Sequence, residues 1–148
     1  MPDFLDLHGK TNKAVRVAAD AALRRHGQRL GQDHLLAALW EQDGRAPGEI
    51  AAATNVTTPA VTKVAARMVD AGLLTRRRDE RDNRLVRLWL TDSGRGLRKP
   101  IEAERRSLEE KLTENLTVTE RKYLMSALAK IYRSASDLAN GPVEHGET

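Results

Sequence analysis

The sequence predicts a mainly helical α+β chain with one small β-hairpin, and three observations predict it. Apolar residues recur at helical spacing over most of the length. The period changes to that of strands only over residues 73–90. Positive charge collects around the same place.

The elements follow in order. Residues 11–25 are Ala-rich, with Val15, Ala18, Ala19, Ala22 and Leu23 on one face, and Gly27 and Gly31 close this helix. Asp33 to Gln42 reads as a second helix with Leu35, Leu36, Leu39 and Trp40 apolar, ended by Gly44. Pro47 opens a short third helix through Thr54. A turn at residues 55–57 leads into a fourth, capped by Thr57 or Thr58 with Pro59 in its first turn. Val61, Val64, Ala65, Met68 and Val69 form its apolar face, and Gly72 stops it. Two short strands come next, with Glu80 to Asn83 as the turn and Leu85 to Leu90 as the β-prone return. Helix resumes after a cap at Thr91 or Asp92, with Leu97, Ile101, Leu108 and Leu112 on one face. Thr117 or Thr119 caps the last helix, where Leu124, Leu128, Ile131, Ala135 and Leu138 step 4-3-4-3. That seam fits an internal core or a partner chain equally. The tail from Gly141 reads as frayed.

At 148 residues this is one domain, able to bury roughly 68–70% of its unfolded surface. There is no cysteine, which excludes disulfides, thiol nucleophiles and thiol sensors. The rings are Phe4, Trp40, Trp89, Tyr123 and Tyr132, too few for a single-strand stacking platform. Asp3 and Asp6 argue against a signal peptide, and no apolar run approaches the ~18 residues of a membrane span. A cytoplasmic protein with no membrane partner is expected. His8, His26, His34 and His145 are scattered without metal-ligand spacing, so no metal is expected. No nucleotide-binding or nucleophile-elbow motif is present, and the acidic pairs Asp79/Glu80 and Glu109/Glu110 diverge, so no catalytic residue or cofactor is assigned.

The charge is uneven. Residues 1–54 are neutral, residues 55–100 carry eleven basic against five acidic side chains, and residues 101–148 are net −2. A basic middle third fits a local polyanion contact as well as a solvated charged face.

A short helix, a turn, a longer helix and a hairpin together make a winged helix-turn-helix. A helix entering the ~12 Å major groove must carry short polar residues in its first turns. Thr57, Thr58, Thr62 and Lys63 stand there, Ala60 can touch a thymine methyl, Pro59 stiffens the entry and Arg67 follows a turn later. Such residues are also ordinary caps and solvent-facing filler. The hairpin tips the balance, because Arg76, Arg77, Arg78, Arg81, Arg84 and Arg87 fall within twelve residues. Arginine suits phosphates and narrow minor grooves. Asp82 can orient Arg84 through a local ion pair, although a charged turn of this kind is commonly worth little.

The stretch from Gly48 to Arg95 resembles the MarR family of bacterial transcription factors. Gly72-Leu73-Leu74-x-Arg76-Arg77, Asp82-x-Arg84 and Leu90-Thr91-Asp92-x-Gly94 carry the resemblance, which extends over Leu30 to Leu138. It implies a DNA-binding lobe at about 32–92 and dimerisation helices at about 3–26 and 93–140. It implies a homodimer on a pseudo-palindromic double-stranded operator, a repressor by expectation. Helix 57–71 would enter the major groove and Arg84 the minor groove. It also implies a small anionic effector between dimer helices and DNA lobe, for which His8, Arg16 and His34 are the candidates. Family members that sense through cysteine have a thiol that this chain lacks. The competing reading is a winged-helix protein–protein adaptor, against which the dense basic hairpin argues.

Overall fold

The computed structural model describes residues 1–54 and 56–141. The expected turn residue Asn55, the tail from Pro142 and His145 lie outside the described residues. Among the described residues, seven helices and one hairpin run in the order α1 (Phe4–Arg24), α2 (Gln32–Glu41), α3 (Pro47–Thr54), α4 (Thr58–Asp70), β1 (Leu74–Arg78), β2 (Val86–Leu90), α5 (Asp92–Gly96), α6 (Arg98–Thr113) and α7 (Val118–Ala139). The mainly helical class with one antiparallel hairpin is as the sequence predicts. The chain divides into two compact units, residues 1–108 and 109–148, with the division inside α6.

In the first unit, the apolar faces of α2, α3 and α4 meet the inner side of the hairpin. Leu36, Leu39, Ile50, Met68, Leu74 and Leu88 are the largest side chains almost wholly removed from water. Leu23 of α1 and Ile101 of α6 join the same core. A side chain of this size contributes about 1.5–3 kcal/mol when fully buried, so the core fixes the helix-turn-helix rather than its flanks. Gly72 ends α4 at φ +77, and Leu73 returns its N–H to Met68 O at 2.9 Å. That αL turn aims the chain into β1.

Two boundaries depart from expectation. The first helix begins at Phe4, ahead of the Ala-rich stretch at residues 11–25, because the Asp3 carboxylate caps it by accepting the Asp6 N–H at 2.9 Å. The segment after the hairpin is two helices, not one. Pro100 has no N–H to return to the Gly96 carbonyl, so the short α5 ends and α6 starts afresh.

In the second unit, Thr117 and Glu120 form a capping box at the start of α7, with side chain to backbone bonds of 3.0 and 3.1 Å. Glu120 is thereby held below the ordinary glutamate range, chiefly by its bond to the Thr117 backbone. No described residue of α7 is buried. Val118, Tyr123, Leu124, Met125, Leu128, Ile131, Tyr132 and Leu138 are all exposed.

Candidate nucleic-acid interface

The α4 N-terminus is built by its own sequence. Thr57 takes extended backbone angles and its hydroxyl accepts the Ala60 N–H at 3.3 Å. Pro59 supplies a preset φ in the first turn, where a missing N–H costs nothing. Val61, Ala65 and Met68 then turn inward. Their spacing leaves Thr57, Thr58, Pro59, Thr62, Lys63 and Arg67 exposed along the opposite face. Thr62 donates its hydroxyl to Thr58 O at 3.0 Å, which holds its methyl and oxygen in a defined position. Ala60 is only half-exposed. It shares a small cavity of about 50 Å³ with His34, Ile50, Val61 and Val64.

The hairpin pairs Leu74 with Leu90, Arg76 with Leu88, Arg77 with Arg87 and Arg78 with Val86. Leu74, Leu88 and Leu90 seat it on the core. Its outer edge is held by the segment before α3: Leu88 donates its N–H to Arg45 O at 3.0 Å, and Leu90 to the Asp43 carboxylate at 2.9 Å. Residues 79–85 close it. Asp79 organises that turn, its Oδ1 accepting the N–H groups of Arg81 at 2.7 Å and Asp82 at 3.3 Å.

Arg76, Arg77, Arg78, Arg81 and Arg84 all stand exposed on this frame. Arg77 lies over the Trp89 ring at 4.6 Å. Arg84 is 95% exposed, with Nε 3.6 Å from Asp82 Oδ1. The same carboxylate oxygen accepts the Arg84 N–H at 3.0 Å, so Asp82 shapes the backbone at the tip as well as meeting the side chain. Arg87 differs from the others: it is ion-paired to both Asp79 and Glu49. Its hydrogen bond holds Asp79 below the ordinary aspartate range, and Asp79 in turn raises Arg87.

Among the described residues, Lys63, Arg67, Arg76, Arg78 and Arg81 pair with no acid, whereas Arg24, Arg25, Arg87, Arg95, Arg98 and Arg121 do. The unpaired cations of α4 and the hairpin lie on one lobe with the exposed Thr57, Thr58 and Thr62.

The three effector candidates fall apart in space. Arg16 lines an open hollow of about 390 Å³ with Val17, Asp20, Ala21, Arg24 and Leu30. Asp20 there is held below its usual range, first by accepting the Leu30 N–H and further by Arg24. His34 belongs to the small cavity beside α4, and His8 stacks on Phe4 with ring centres 5.5 Å apart. Among the described residues no group of three acidic or imidazole side chains can hold a metal ion, and no helix is long and apolar enough to cross a membrane.

The sequence pattern groups Arg87 with the basic hairpin, whereas the fold bonds it to Glu49. Strand alternation from Trp89 carries the signal, since it puts Arg87 on the Trp89 side. The two tryptophans are half-buried anchors. Trp40 donates its indole N–H to Gly94 O at 3.0 Å, and the Trp89 ring lies against Gly44.

Residues 30–86 match the model of the MarR family. The uncharacterized HTH-type transcriptional regulator YdgJ of Bacillus subtilis is 26% identical over 127 residues, covering 86% of this chain and 76% of that protein. The HTH-type transcriptional regulator TtmR of Methylorubrum extorquens is 30% identical over 125 residues, and the alignment covers 80% of this chain and 63% of TtmR. The fold matches the S. aureus MepR–DNA complex at a TM-score of 0.83 and 25% identity, over 90% of this chain and 99% of that one. These relatives are regulators rather than enzymes. Residues 30–86 are thus similar to the MarR family's winged helix, and the chain shares the fold of the MepR–DNA complex.

Proposed function

We propose that the chain is a sequence-specific, double-stranded-DNA-binding transcriptional regulator that works as a homodimer on a pseudo-palindromic operator. The observation that carries this reading is the set of unpaired cations on α4 and the hairpin, beside three exposed threonines at a helix start. Thr57, Thr58, Pro59, Ala60, Thr62, Lys63 and Arg67 serve the major groove. Arg76, Arg77, Arg78 and Arg81 serve phosphates, and Arg84, steadied by Asp82, serves the adjoining minor groove. Phosphate contacts supply affinity and register, while base-edge contacts supply discrimination. The similarity to the MepR–DNA complex supports the same use of the lobe.

The dimer rests on the segments at about 3–26 and 93–140, whose exposed Phe4, Leu5, Leu7, Val17, Leu124, Leu128 and Ile131 would otherwise face water. The regulator is a repressor, released by a small anionic ligand with an apolar body. The hollow beside Arg16 suits such a ligand, because Arg16 has no acid partner and Val17, Ala21 and Leu30 supply apolar wall.

The test is a selection of bound duplexes from a random-sequence pool, followed by titration of the selected and a scrambled duplex across a salt series. A recovered inverted repeat, bound on the order of 10³-fold or more tightly than the scrambled duplex, is expected. Equal binding of both duplexes would defeat the reading in favour of a non-specific polyanion surface. No binding at all would favour the adaptor.

A further inference from the structure

One arginine of the basic hairpin, Arg87, is half-buried and engaged within the fold. Arg87 donates Nε to Asp79 Oδ2 at 2.7 Å, and the same terminal nitrogen reaches Gly44 O at 3.0 Å and the Glu49 carboxylate at 3.0 Å. One guanidinium therefore joins the hairpin turn, the segment before α3 and the first turn of α3. Asp79 carries the line onward, because its other oxygen holds the N–H groups of Arg81 and Asp82. The chain of bonds runs from α3 through Glu49, Arg87 and Asp79 to the backbone two residues short of Arg84. Hydrogen bonds between charged groups are roughly twice as strong as neutral ones, and the planar fork of arginine fixes direction as well as distance. A two-stranded hairpin is marginal alone and would pivot on its base. Beyond this strut, among the described residues, its outer edge is held near the core end, at Leu88 and Leu90.

We propose that Arg87 is a positioning residue for DNA reading: it touches no DNA, but fixes the angle of the hairpin tip to α3 and the adjoining α4, and so sets where Arg84 meets the duplex. This rests on the DNA-binding reading above. Glu49 is the distal anchor and Asp79 the relay. Arginine is required at 87, since a lysine carries the charge but cannot hold a carboxylate on each side in one plane.

The experiment uses the full chain and the variants Glu49→Gln, Arg87→Lys and Arg87→Met. Amide hydrogen exchange without DNA is read over residues 79–86 and over α4. Random-pool duplex selection is then repeated with each variant. Glu49→Gln and Arg87→Lys are expected to exchange several-fold faster at the tip with α4 unchanged. Their recovered sites keep the centre of each half-site and lose the outer flank, with flank discrimination down roughly tenfold. Unchanged exchange at the tip overturns the strut. Faster exchange with flank preference intact overturns the positioning role, as does equal loss of centre and flank while α4 stays protected. If Arg87→Met unfolds, the two milder variants still decide. If the parent recovers no motif, the DNA reading fails, and exchange alone upholds or overturns the strut.

Discussion

Arg77 and Arg87 are register partners across the hairpin, and the fold separates their roles by giving each a different neighbour. Like charges directly opposite one another in an antiparallel pair are destabilising. Arg87 is neutralised by Asp79 and Glu49, whereas Arg77 leans along the strand onto Trp89 and keeps its charge toward solvent. Arg77→Ala should therefore lose a cation–π contact worth about 0.5–1 kcal/mol at an exposed site. It should weaken selected and scrambled duplex alike and lower the salt slope by about one. Urea unfolding and a salt series measure both. A fully retained slope would remove Arg77 from the phosphate contacts.

Gly44 makes a second prediction. Its φ is +78, and a Cβ built there would lie 2.5 Å from the Trp89 ring. A shift of the ring would also disturb its contact with Arg77, whose guanidinium carbon lies 4.6 Å from the ring centre. Gly44→Ala thus combines an αL backbone with a clash, and should cost roughly 2–4 kcal/mol. A lowered urea midpoint with a changed Trp89 emission is expected. A variant as stable as the parent would show that the ring packs elsewhere.

Asp79 makes a prediction about acid. Its carboxylate is held below the ordinary aspartate value of 3.8, first by the Arg87 side chain and next by the Arg81 N–H. A folded pKa below the unfolded one gives stability that is present above the unfolded value and lost as pH falls through the folded one. The contribution is therefore intact at neutral pH and disappears below about pH 4. Asp79→Asn should be less stable than the parent at pH 6 and should converge on it in acid. Unfolding midpoints across that range check the sign. A constant gap would assign the effect to packing instead.

How much of this was legible in the sequence depended on the range of the interaction. The α4 helix was legible because its cap, its proline and its apolar stripe lie within fifteen residues of one another. The hairpin was legible because its period changes. The first two turns of α1 were not, since Gly9 interrupts the pattern and Asp3 acts before any apolar repeat begins. The break at Leu97 was hidden by a stripe that continues past Pro100. The strut at Arg87 depends on register, and register depends on where the turn closes. Reading the turn as residues 80–83, when the ladder ends at Arg78 and Val86, leaves Asp79 without a task. The use of the arginines followed from charge, but their separation into paired and unpaired required Glu49, thirty-eight residues away.

The exposed apolar residues of α1 and α7 carry a prediction about assembly. Leu124, Leu128 and Ile131 step 4-3, and each is more than a third exposed. Identical chains close most often as two-fold dimers. Sedimentation at micromolar concentration should give about 33 kDa, twice 16.4 kDa. Leu128→Asp should shift the mass toward the single chain and remove tight operator binding with it. A monomeric parent that still bound an inverted repeat tightly would sink the dimer.

Arg84 and Asp82 separate shape from charge at the hairpin tip. Arg84 is 95% exposed, so its side chain adds nothing measurable to folding. Arg84→Ala should leave the unfolding midpoint unchanged while costing on the order of 1–3 kcal/mol per site in operator binding, with relaxed preference at the outer flanks. Asp82 does two things. Its Oδ1 accepts the Arg84 N–H at 3.0 Å, and its charge stands near the guanidinium. Asp82→Asn keeps an acceptor for the backbone and removes a negative charge facing the duplex, so it should bind DNA as well as the parent or better. Asp82→Ala also removes the acceptor, loosens the turn that presents Arg84, and should resemble a mild Arg84→Ala. Titration of the three variants against the selected duplex and a flank-scrambled copy distinguishes them. If Asp82→Asn fell as far as Asp82→Ala, the ion pair would matter and the backbone bond would not. If Arg84→Ala discriminated flanks as the parent does, the hairpin tip would not enter the groove.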